Sequence, residues 1–169
     1  LVNSSLRITH SMGKTVGWQM EERVRLMKED VKERPQNSYV RYMEAIEFLN
    51  QEKYEKSIDS FEIARQTVNR GSLYAPHLYK CLGYSLLIVK RYEEAEKVFN
   101  EGIQSFAFYN DLLVLRAELY RQLGRNREAL EDLEACLALR KRPNPCVPGP
   151  EINLSILQEM WEEIKKGSN

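Results

Sequence analysis

The chain has 169 residues, with 25 Lys and Arg set against 25 Asp and Glu, 43% hydrophobic residues, eight Gly and six Pro. That length carries a domain with a real core, and zero net charge argues against nucleic acid or an anionic membrane as the main partner, since both want a basic excess. No apolar run approaches the roughly 18 residues of a spanning helix, and no signal-peptide pattern is present. The three cysteines (Cys81, Cys136, Cys146) have no C-x-x-C spacing, so neither a disulfide framework nor a zinc site is expected. A reducing, cytoplasmic compartment fits this usage, and no cofactor is expected.

The chain opens on Leu1 and reads as a piece of something longer. Residues 1–17 differ in pattern from the rest of the chain. Leu6, Ile8 and His10 alternate with Arg7 and Thr9 as a short strand would, yet nothing later reads as β. Such an orphan is either a disordered tail or the remnant of a preceding domain. From Trp18 the period becomes helical. Met20, Val24, Met27 and Val31 make one apolar stripe, Glu21/Arg25 and Arg25/Glu29 pair on the wet side, and Pro35 stops the helix. A capping helix is expected over 18–35.

Residues 38–141 repeat themselves. Segments 38–65, 76–103 and 110–137 line up, the second and third starting 34 residues apart and the first and second 38. The extra residues fall in the connection 67–75. Each segment holds two helical patterns separated by a polar break at 51–53, 90–91 or 124–126. Small residues recur at Ala45, Gly83 and Ala117 in the first helices, and at Ser57, Ala95 and Ala129 in the second. Large ones stand beside them: Phe48, Leu86 and Tyr120, then Phe61, Phe99 and Leu133. A third small position follows at Ala64, Gly102 and Cys136. Small against large at facing positions lets an antiparallel helix pair interlock, and stacked pairs bury a continuous core. The three units are expected at about 38–71, 76–109 and 110–143.

Residues 142–150 hold four prolines in nine and read as a semi-rigid spacer. A last amphipathic helix is expected over about 151–166, with Leu157, Met160, Trp161 and Ile164 on its apolar face as an end cap.

On these motifs the chain resembles the tetratricopeptide repeat family. The second copy carries Tyr79, Leu82, Gly83, Leu86, Tyr92, Ala95, Phe99 and Gly102 in the family's register. The third matches through Leu113, Ala117, Tyr120, Gly124, Ala129 and Leu133. The first departs at Glu44, in a usual Leu slot, and at Ser57, in a usual Ala slot. The resemblance covers about 100 residues. It implies an all-α, right-handed α-solenoid of three helix pairs between capping helices, eight helices in all, which is specific for fold and not for function.

Few residues point to chemistry. Gly13-Lys14-Thr15 ends like a phosphate-binding loop, but Ile8 stands where that motif needs Gly. His10 and His77 lie in unrelated segments, and a single His makes neither a metal site nor a general-base constellation. No catalytic residue is expected. The resemblance instead implies a concave groove lined by the first helix of each pair: Tyr39, Tyr42, Met43 and Ile46, then His77, Lys80, Tyr84 and Ile88, then Asp111, Leu115, Glu118 and Arg121. Such a groove would bind a protein or peptide, or be covered by the chain itself or by a second copy. Family members that clamp acidic chaperone tails use cationic and amide donors. Here the matching positions hold Tyr42, Ile46, Cys81, Asp111 and Leu115, so that partner is not expected.

The N-terminal junction is similar to bacterial family 2 glycosyltransferases that carry C-terminal tetratricopeptide repeats. Their catalytic domain closes on an Ile-x-His-x-Gly stretch, which Ile8-Thr9-His10 matches and Ser11-Met12-Gly13 departs from by one residue. That likeness implies a non-catalytic accessory region behind a missing enzyme domain, with His10 near a donor-sugar or metal site. A free-standing peptide adaptor and a structural dimerisation unit remain the alternatives.

Overall fold

A computed structural model describes residues 17–107, 109–140 and 154–167. All regular structure among them is helical: α1 Gly17–Glu33, α2 Ser38–Asn50, α3 Tyr54–Thr67, α4 Ala75–Ile88, α5 Tyr92–Ser105, α6 Asn110–Gln122, α7 Asn126–Arg140 and α8 Leu154–Gly167. This is the all-α repeat that the small–large register predicts. The strand-like stretch at 6–10, the Gly13-Lys14-Thr15 loop, the spacer 142–150 and Cys146 lie outside the described residues.

The breaks have local causes. Pro35 precedes α2, whose N-cap Asn37 accepts from the Val40 backbone N–H at 3.0 Å. Pro76 occupies the first turn of α4, where a missing N–H costs nothing. Within each repeat the turn passes through one residue with positive φ: Glu52 (57°), Lys90 (63°) and Gly124 (72°). These three are spaced by 38 and then 34 residues, the repeat's own offsets. Behind two of them the chain closes the helix end in the same way. Lys53 N–H donates to Phe48 O at 2.9 Å, and Arg125 N–H donates to Tyr120 O at 2.8 Å.

The chain divides into two compact units, Leu1–Val89 and Lys90–Asn169. In the first, α1 packs on α2, α2 on α3 and α3 on α4. Ala45, Ile58, Phe61, Ala64, Leu78 and Tyr79 are buried. The small position at Ser57 is used twice: its side chain fits the close approach, and its hydroxyl donates to Ala45 O at 2.9 Å. In the second unit α5 packs on α6, α6 on α7 and α7 on α8. Its core includes Ala95, Phe99, Leu112, Ala117, Leu119, Ala129, Leu133 and Cys136.

Candidate functional site

An aromatic cluster stands at the start of α2 and α4. Tyr39 and Tyr42 sit one turn apart on α2, and Tyr74, the residue before α4, brings its ring to 5.3 Å from Tyr39 and 4.9 Å from Tyr42. Tyr74 Oη and Ser38 Oγ share a 2.7 Å hydrogen bond, which fixes the ring across the two helices. Tyr42 Oη lies 2.9 Å from His77 Nδ1, and Cys81 Sγ, one turn on, is 3.5 Å from the same nitrogen. Burial pushes the Tyr42 phenol well above its usual range, and nearby Cys81, Tyr39 and Tyr74 add to the shift. Tyr42 is therefore a neutral hydrogen-bonding group throughout the physiological range. Tyr39 remains 53% exposed.

Beside this cluster α1 and α2 leave a pocket of about 440 Å³. Val24, Leu26 and Met27 of α1 face Tyr39, Val40, Met43 and Ile46 of α2, with Asp30, Arg34, Asn37 and Glu47 among the lining. Leu26 is 48% exposed. Arg34 is ion-paired with Asp30, one turn away on the α1 side. Glu47 accepts from the Gln51 side-chain amide at 2.6 Å.

The second unit is built differently. Glu118, buried on α6, accepts from Arg121 Nε and Nη2 at 2.8 and 2.7 Å and from Gln122 Nε2 at 2.8 Å. These bonds raise the Arg121 pKa further, and Glu163 of α8 adds to the effect. Met160 and Ile164 of α8 are 5% and 3% exposed, and Lys165 lies 4.2 Å from the Trp161 ring centre. On the α6–α7 side Arg116 grips Asp132 through Nε and Nη2 at 2.8 and 2.6 Å. Tyr120 donates to Glu96 at 2.9 Å and lies under the Arg125 guanidinium at 4.2 Å.

Of the twelve expected groove residues, Tyr39, Met43 and Ile46 share the α1–α2 pocket, and Tyr42 and His77 join through a hydrogen bond. Ile88 is half-buried. Lys80, Tyr84, Asp111, Leu115 and Glu118 are buried, so they present no open surface in the folded chain. Arg121 is half-buried and committed to Glu118. Sequence reasoning missed Tyr74, Leu26 and Glu47. Tyr74 sits in a connection, where helical periodicity has nothing to say. An aromatic residue directly before the Pro76-started helix is the one signal it carried. Among the described residues no group of three or more His, Cys, Asp or Glu could hold a metal ion, and no described helix is long and apolar enough to cross a membrane. His10 lies outside the described residues.

Comparison with known proteins bears on the fold. Residues 111–143 match the family model of the tetratricopeptide repeat. No curated protein matches the chain. Among solved structures it is similar to the first TPR of Spaghetti bound to the HSP90 peptide SRMEEVD, with 19% identity, 79% of this chain and 94% of that one covered, and a TM-score of 0.63. It is also similar to MamA, at 14% identity, 89% and 74% coverage and a TM-score of 0.73. The TPR2B domain of yeast Sti1 in its pHsp70 complex gives 12% identity, 77% and 97% coverage and a TM-score of 0.66. The chain thus has the tetratricopeptide-type helical repeat fold, with the family's sequence model matched in its third repeat.

Proposed function

We propose that the chain is a protein-interaction module that works by binding and not by chemistry, through the first-unit face of Tyr39, Tyr42, Met43 and His77. The observation that carries this reading is the half-exposed Tyr39 ring, held by Tyr74 and Tyr42 beside an apolar pocket. A large ring left in water gains free energy only when a partner covers it, and preordered aromatic residues dominate interface energetics. That Spaghetti and Sti1 carry this fold in complexes with an HSP90 peptide and pHsp70 supports the same class of role. An acidic-tail clamp is not part of the proposal, because the matching positions offer Tyr42, Ile46, Cys81, Asp111 and Leu115 in place of cationic donors.

The test is Tyr39→Ala in the full chain, read by light scattering and by retention of a partner captured with the native protein. Loss of the partner at unchanged mass supports the module. Loss of a dimer favours a structural dimerisation unit, and no change in either sinks the reading. Ile8-Thr9-His10 favours a setting for the module: the accessory region of a cytoplasmic, bacterial glycosyltransferase-like protein. Sequencing the frame upstream of Leu1 tests that. An α/β domain with a nucleotide-sugar motif supports it, and a nearby start codon removes it.

A further inference from the structure

We draw no further inference here: the strongest candidate, the apolar surface patch of Leu26 and Tyr39 at the α1–α2 pocket, carries none, because nothing in the structure shows what covers it.

Discussion

The first and last helices meet their neighbours in opposite ways. In α8, Met160 and Ile164 are buried within their own unit and Glu163 reaches the field of Arg121. In α1, Leu26 stays half in water and a pocket opens against α2, whose Tyr39 is equally uncovered. The same amphipathic pattern thus closes one unit and leaves the other open. The difference lies in what each neighbouring helix offers. On α6 the polar residues pair among themselves, whereas α2 presents an aromatic and apolar row with one carboxylate set into it. An end that satisfies itself is structural, and an end that keeps apolar surface exposed is available to a partner.

The largest expected effects come from breaking the closed end. Ile164→Ala should cost about 2–4 kcal/mol in urea unfolding, the range for a buried Ile truncated to Ala. Leu26→Ala should stay within about 0.5 kcal/mol, as surface changes do. Equal costs would erase the contrast between the two helices.

One repeat position is filled in different ways in the two units. Glu44 accepts from Ser60 at 2.8 Å and from Arg41 at 2.7 Å, while at the aligned positions Arg116 grips Asp132. The seam accepts a hydrogen bond or an ion pair, provided each polar group is matched. Asp132→Val alone should cost about 3 kcal/mol, because it takes the carboxylate from a largely buried guanidinium and leaves it the neutral Asn100 side chain. Arg116→Leu with Asp132→Val should recover nearly all of that loss in the same denaturation assay.

The shared left-handed turn predicts smaller effects. Gly124→Ala should cost about 1 kcal/mol from backbone conformation alone, since a Cβ there meets nothing within 4 Å. Lys90→Gly should instead gain about 0.5 kcal/mol, because it relieves a positive φ at the cost of backbone entropy. Thermal melts distinguish the two signs.

Raising pH tests the Tyr42 environment by itself. Burial holds the Tyr42 phenol protonated in the folded chain well above its unfolded value near 10. The folded state therefore binds the proton more tightly. Its stability contribution is complete below about pH 10 and falls as pH rises beyond it. Tyr42→Phe should flatten that alkaline decline in the melting temperature while losing the His77 bond at neutral pH.

Much of the architecture was legible in the sequence, because close helix approach demands Ala, Gly or Ser at fixed offsets and Ala45, Ala95 and Ala117 supply them. Gly124 announced its turn. The polar breaks at 51–53 and 90–91 located the other two turns but not the positive φ of Glu52 and Lys90, which is imposed by the repeat's helix-end geometry and not by their own preference. The site was less legible. Lys80, Asp111 and Glu118 read as surface by type yet are buried, and only the Glu118–Arg121 pair left a trace, as charges three residues apart. Tyr74 joins the cluster through a tertiary contact that no local pattern encodes.

Hydrogen exchange of the full chain, alone and with a partner captured on the native protein, tests the open-end account most directly. Protection gathered in α1 and α2, with α6 and α8 unchanged, is the predicted result. Protection confined to α6 or α8 would contradict it.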